Sequence, residues 1–486
     1  MMQKIADIIK DTQVLEVINE QNYGVESISF DSRKVDDKTV FVAMRGTVAD
    51  GHEFIPQVIG SGCKCIICEE VPESVSGEIM IVKVLDTSLA LGSMASAFYG
   101  NPSRQLKLVG VTGTNGKTTT ATLLHDLVMQ MGYKAGLFST VANYIGKTQL
   151  KATHTTPDAV TLNRIMADMV ESGCEYCFME VSSHALVQNR VAGLDFAGGL
   201  FTNITHDHLD YHQTFKNYIE AKKSFFDGLG KEAFALVNGD DKNGSVMVQN
   251  TKAQKYTYSL RGLGDFKGKI IESMFEGMQL EIDNQEIWTR FVGDFNAQNL
   301  LAVYGAACLL NLNRSEVQVA LSQLKPVDGR FETIRSNVGK TAIVDYAHTP
   351  DALKNVIETI NLVRQADQQL ITVVGAGGDR DPMKRPEMAK AAVVGSSKVI
   401  LTSDNPRSED PETIIAQMME GVAFQDRIKV LSIVNRREAI RTACMVAAPG
   451  DIILVAGKGH ETYQEIKGER THFDDREIVR EVFNAE

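Results

Sequence analysis

The sequence predicts an α/β protein of three domains, on three observations. The chain has 486 residues, too many for one ordinary hydrophobic core. Buried-strand runs alternate with amphipathic segments along most of its length. Two turn-rich stretches, Tyr99–Ser103 and Lys325–Arg330, divide it into parts with separate strand patterns. The expected units are a small α/β domain over residues 1–98, a central domain on a mostly parallel sheet over 99–326, and a Rossmann-like domain over 327–486.

Composition narrows the function classes. Hydrophobic residues make up 43% and charged residues 23%, as in a water-soluble globular protein. A formal net charge of -12 argues against nucleic acid or an anionic membrane surface as partner, because both reward a basic face. No apolar run reaches the length of a membrane span, and the opening MMQKIADIIKDTQ carries acidic residues and a helical apolar period in place of a signal-peptide core, so a cytoplasmic location is expected. Seven cysteines, an odd number, suit a reducing compartment. CKCIIC (63–68) and CEYC (174–177) lie in apolar strand-like runs and read as small core residues, not as metal ligands.

In chain order, VESISF, TVFVAMRG, KCIICEE and IMIVKV supply the strands of the first unit. LKLVGVTG, CFMEVSSH, GGLFTNITHDH and FALVNGDD supply those of the second, and TAIVDYAHTP, LITVVGAGGDRD, KVILTSDNPR and DIILVAGKGHE those of the third. Most of the runs in the last two units end in polar residues. Open α/β sheets bind ligands at the carboxyl ends of their strands, so these tips, Thr118, Glu180, Ser182, His206, Asp207 and His208 among them, are expected to face a crevice.

The sharpest local motif is LKLVGVTGTNGKTTT (106–120), a strand, a Gly-rich turn and a helix start. Gly113, Thr114, Asn115 and Gly116 bring backbone N–H groups to phosphate oxygens, Lys117 adds a point charge, and Thr118 and Thr119 open the helix, where the Thr118 hydroxyl suits Mg²⁺. The pattern departs from the usual phosphate loop in one place, with Gly110 one residue ahead of the customary position and Val111 occupying it. HDHLDYH (206–212) is rich in metal-capable groups, and YIEAKKSFF (218–226) has helical spacing with two adjacent lysines.

GTNGKTT, EVSSH, DHLDYH, the Tyr-x-x-Ala-Lys run, GDFNAQN, DGRFE, DYAHTP, GGDRD, DNPR and GKGHE, in this order, resemble the Mur ligases, ATP-dependent enzymes that build the peptidoglycan peptide stem. The match runs from Asp31-Ser32-Arg33 to His460-Glu461, and is most similar to the branch that adds the third stem residue. The resemblance implies an N-terminal UDP-binding domain, a central ATPase domain and a C-terminal amino-acid-binding domain, with ATP, UDP-N-acetylmuramoyl-L-alanyl-D-glutamate and an amino acid as substrates, Mg²⁺ as cofactor and a monomeric state. It implies that Lys222 is carbamylated by CO₂ and joins Thr118, Glu180 and His208 around the metal. Physically, a carbamate presents oxygen to a hard cation that an ammonium would repel.

The same resemblance assigns Lys117, Lys222, His208, Arg330 and His348 to catalysis, and Asn296, Asn299 and Arg330 to the nucleotide alongside the phosphate loop. It places Phe30, Ser32, Thr47, Val48 and Ala49 at the uridine, and His154, Thr155, Thr156, Ser182, Gln188 and Arg190 nearer the muramoyl peptide. His154 stands where some members carry Asn, and the family's His-Gln-Ala at 47–49 is not kept. Arg380, Asp404, Asn405, Pro406, Arg407, Gly457 and Glu461 are implied for the amino acid. In the family DNPR accompanies meso-diaminopimelate, and the physics agrees: a guanidinium fork pairs with the distal carboxylate that lysine lacks, while Glu461 suits an ammonium. Three alternatives remain open: an L-lysine-adding variant, a folylpolyglutamate synthetase-like ligase, and a nucleotide-gated binding protein. Read as a bare turn, DNPR would lead into a helix with Arg407 pairing Glu409.

Overall fold

A computed structural model describes residues 2–22, 24–46, 49–73, 76–152 and 154–485, and the counts below are of these residues. Three large sheets organise the chain. The first orders its strands Val14–Ile18, Met80–Val84, Cys65–Cys68, Thr39–Val42 and Ser27–Ser29, parallel except for the first pair. Thr39–Val42 and Cys65–Cys68 are buried at every position because helices cover both faces: Val40 and Val42 meet Ile5, Leu91 and Met94, while Phe41 meets Ile55 and Val58.

The central sheet has eleven strands. Seven in a row are parallel: Ala135–Phe138, Tyr176–Glu180, Lys107–Thr112, Gly198–Phe201, Phe234–Asn238, Gln254–Ser259 and Phe266–Met274. The four strands read from sequence are contiguous at its centre. Helices Lys117–Gln130 and Asp294–Leu309 pack on one face, and Ala159–Glu171 and Phe215–Asp227 on the other. Antiparallel hairpins that the sequence reading lacked extend both edges, Asn143–Ile145 with Thr148–Leu150 and Gly277–Ile282 with Gln285–Thr289. Thr148–Leu150 and Gln285–Thr289 are short and largely exposed, and Gly277–Ile282 alternates buried Met278, Leu280 and Ile282 with less buried residues, so none carries a continuous apolar run.

The third sheet orders Glu332–Arg335, Thr341–Asp345, Ile452–Ala456, Leu370–Ala376, Lys398–Ser403 and Val430–Ser432, antiparallel only at the first pair. Here too the four strands read from sequence form its core. Cys63, Cys65, Cys68, Cys174 and Cys177 are free and buried, as core residues are. No helix among the described residues is long and apolar enough to cross a membrane.

Candidate functional site

The carboxyl ends of the central and third sheets open on one cleft of about 810 Å³. At its floor is the phosphate loop. Gly116 has φ of 85° at the start of helix Lys117–Gln130, and a Cβ there would lie 2.6 Å from Asn299 Oδ1; one on Gly113 would lie 1.9 Å from Thr202 Oγ1. Only glycine fits either place. The loop is held from outside: Asn115 N–H donates to Asn203 Oδ1 at 2.9 Å, and the Thr114 hydroxyl meets Tyr218 OH at 3.1 Å. Lys117 Nζ donates to the Gly113 and Thr114 carbonyls at 2.9 and 2.8 Å, and burial lowers its pKa. Thr118 Oγ1 accepts from Arg330 Nη2 at 3.2 Å, and the Arg330 guanidinium lies 4.3 Å from the centre of the Tyr346 ring. Thr119 is buried, and Asn296 and Asn299 line the cleft from helix Asp294–Leu309.

Lys222 is fully buried on helix Phe215–Asp227, donating to the Gly113 carbonyl at 2.7 Å, and burial together with Lys117 pushes its pKa far down. Lys223, turned away as helical geometry requires, pairs with Asp227 at 2.6 Å. Glu180, also buried, accepts from the Thr140 N–H at 2.6 Å. His208 sits at φ 52° ahead of the short helix Leu209–His212, and burial keeps its imidazole neutral, with a pKa of about 3. Its neighbour Asp207 is ion-paired with Lys384 of the third unit, an inter-unit contact that no local motif announces.

No group of three or more His, Cys, Asp or Glu side chains among the described residues forms a cation cage. The donor set of one carboxylate, hydroxyls and a neutral imidazole fits a Mg²⁺ that shares phosphate oxygens and keeps waters. An ammonium at Lys222 does not fit beside such an ion; a carbamate does.

On one wall of the cleft, Thr156 Oγ1 donates to the Glu180 carbonyl at 2.8 Å and accepts from the Ser182 N–H at 3.2 Å, while Thr155 Oγ1 accepts from Thr140 at 3.0 Å. Arg190 donates to the Thr156 carbonyl at 2.8 Å and forks onto Gln188 Oε1 at 3.0 and 2.6 Å. His154 completes this wall. Phe30, Ser32 and Ala49 do not line the cleft; Phe30 and Ser32 follow strand Ser27–Ser29 on the first unit. Thr47 and Val48 lie outside the described residues.

The third unit supplies the opposite wall. His348 Nδ1 donates to the Tyr346 carbonyl at 2.9 Å. Arg380, Asp404, Asn405, Arg407, Gly457 and Glu461 line the cleft, and buried Pro406 backs them. Arg407 adopts φ 52° and donates to the Gly378 carbonyl at 2.5 Å. The bare-turn pairing of Arg407 with Glu409 is not formed: Glu409 takes a bidentate fork from buried Arg385, at 2.7 and 2.8 Å. Tyr346 and Lys384 line the cleft and were missed from sequence: Lys384 reaches it only through packing against Asp207, while Tyr346 lies within the DYAHTP motif itself.

Comparison with known proteins now decides the family. The Mur ligase family, catalytic domain matches residues 24–99, the Mur ligase middle domain 111–307, and the Mur ligase, glutamate ligase domain 329–459. A UDP-N-acetylmuramoyl-L-alanyl-D-glutamate--2,6-diaminopimelate ligase of Phocaeicola vulgatus is 56% identical over 99% of this chain and 100% of its own. The chain belongs to the Mur ligase family. It is therefore a ligase with the three-domain α/β architecture of that family. A solved Mur ligase structure, of a UDP-N-acetylmuramoyl-L-alanyl-D-glutamate--2,6-diaminopimelate ligase, is 32% identical with a TM-score of 0.70, covering 100% of this chain and 99% of that one. A Mycobacterium tuberculosis folylpolyglutamate synthase, solved with ADP and AMPPCP, shares the fold alone at 16% identity and a TM-score of 0.61, covering 76% of this chain and 93% of that one.

Proposed function

We propose that this Mur ligase uses ATP to join meso-diaminopimelate to the D-glutamate γ-carboxylate of UDP-N-acetylmuramoyl-L-alanyl-D-glutamate in the cytoplasm. The observation that carries the reading is one cleft with a phosphate loop on its floor, Thr155, Thr156 and Arg190 on one wall and Arg407 with Glu461 on the other. Three reactants can meet there. The domain limits 1–98, 99–326 and 327–486 are part of the proposal, supported by each large sheet falling within one span.

A carboxylate is a poor electrophile with a poor leaving group, and phosphorylation remedies both. The γ-phosphoryl passes to the glutamate carboxylate to give an acyl phosphate, and the diaminopimelate amine then displaces phosphate. Lys117 and Arg330 offset the charge of the two anions as they meet, and the loop N–H groups align the phosphates. Thr118, Glu180, His208 and carbamylated Lys222 would hold Mg²⁺, which supplies further charge neutralisation when bound. Carbamylation needs a neutral amine that adds to CO₂ and releases a proton, and the buried Lys222 beside Lys117 meets that condition. His348 lies near Asp345 and Arg330 at the domain junction. Asn296 and Asn299 contact the nucleotide, and Phe30, Ser32 and Ala49 hold the uridine on the first domain, outside the cleft, together with Thr47 and Val48 of the same sequence stretch. The protein acts as a monomer on small-molecule substrates.

Phosphate release with UDP-N-acetylmuramoyl-L-alanyl-D-glutamate, ATP and Mg²⁺ tests the reading, with meso-diaminopimelate or L-lysine supplied in parallel and the product weighed by mass spectrometry. Strong release with diaminopimelate is expected. A preference for lysine would overturn the role given to Arg407, and release independent of any amino acid would point to a binding protein.

A further inference from the structure

Behind the amino-acid wall lies a lysine that the proposed chemistry does not use. Lys458 is completely buried and does not line the cleft. Its ammonium donates to Asn405 Oδ1 and to Glu461 Oε2, both at 3.0 Å, and stands 5.3 Å from the centre of the Tyr463 ring. Asn405 Nδ2 donates to the same Glu461 oxygen at 2.9 Å, while Asn405 Oδ1 also accepts the Glu465 N–H at 3.0 Å. Two consequences follow. The Asn405 amide can take only one of its two flips, because the reverse would aim its NH₂ at an ammonium and an N–H. Glu461 is gripped twice through Oε2, so Oε1 is the oxygen left for the cleft that this residue lines.

We propose that Lys458 is a positioning residue for the amino-acid substrate, gripping Asn405 and Glu461 from behind so that the remaining Glu461 oxygen meets the substrate's ammonium group. The proposal rests on the reading of this wall as the amino-acid site. A buried ammonium with two oxygen partners is a stiff support, because each partner would otherwise lose a charge-assisted bond, and pre-set geometry spares the substrate the entropy of ordering the site. Lys458 also balances the Glu461 charge when the site is empty. Lys458 needs no contact with substrate to do this.

The test compares wild-type enzyme with Lys458→Met and Lys458→Gln in initial-rate assays that vary ATP and meso-diaminopimelate separately, with melting temperatures measured alongside. The expected result is a KM for diaminopimelate raised about tenfold or more, the size of one lost charge-assisted bond, with the KM for ATP within about twofold of wild type. Unchanged diaminopimelate KM in folded variants would overturn the proposal. So would KM values that rise together, or melting of both variants below assay temperature, since each marks a merely structural lysine. The wild-type arm reports separately on the substrate: if it turns over lysine alone, the diaminopimelate reading falls and the same KM comparison is made with lysine, whose ammonium would use the same Glu461 oxygen.

Discussion

The Lys222 ammonium donates to the Gly113 carbonyl at 2.7 Å, bringing a lysine from helix Phe215–Asp227 under the first glycine of the phosphate loop. With Lys117 bonded to the same carbonyl at 2.9 Å, two cationic groups converge on one oxygen in a buried setting. Like charge and desolvation both favour the neutral amine, the form that captures CO₂. Lys222→Ala is expected to lose about two orders of magnitude or more in kcat and to recover partly in a high concentration of a short carboxylate. Full activity of this variant without additive would defeat the carbamate.

Arg330 links the start of the third domain to Thr118 of the phosphate loop at 3.2 Å and stacks over Tyr346. Arg330→Lys retains charge but loses the fork and the stacking. We expect kcat to fall about tenfold to a hundredfold with a smaller change in the KM for the UDP-peptide. A variant with wild-type kcat would remove Arg330 from the chemistry.

Arg407 is anchored through Gly378 and lines the cleft beside Asn405. Arg407→Ala should lower the kcat/KM ratio of diaminopimelate to lysine by about a hundredfold while ATP binding persists. Competition assays with both amino acids read this ratio directly, and a ratio like that of wild type would leave Arg407 without a part in selectivity.

At Gly116, φ of 85° and the nearby Asn299 Oδ1 exclude a side chain. Gly116→Ala should raise the KM for ATP about tenfold and lower the melting temperature by about 2–4 °C for each kcal/mol of strain. Calorimetry and ATP titration check both numbers; an alanine variant that behaves as wild type in both would contradict the geometry.

His212 is buried, with Nε2 at 2.9 Å from Ser183 Oγ, and burial followed by His184 lowers its pKa to about 4. The unfolded chain binds a proton there near the ordinary pKa of about 6.5, so its contribution is complete above that pH and is lost as pH falls toward 4. Urea midpoints measured across this window should decline with acidity, and less steeply in His212→Gln. Equal slopes for the two proteins would assign the acid sensitivity elsewhere.

By itself the sequence determined the interior of each sheet and the residues at its strand tips, since both are local properties. VGVTG, CFME, VVGAG and IILVA are apolar runs buried on two faces, and the polar residues that end them fall at sheet ends whatever the strand order. The antiparallel edges were not legible, because strands such as Thr148–Leu150 and Gln285–Thr289 are short and largely exposed and form only when a neighbour supplies hydrogen bonds. Only the tertiary structure decided which tips share a cleft. Lys222 meets Gly113 across 109 positions, Arg330 meets Thr118 across 212, and Lys458 meets Asn405 across 53. Such contacts depend on how sheets and domains pack, and no periodicity within one segment encodes them.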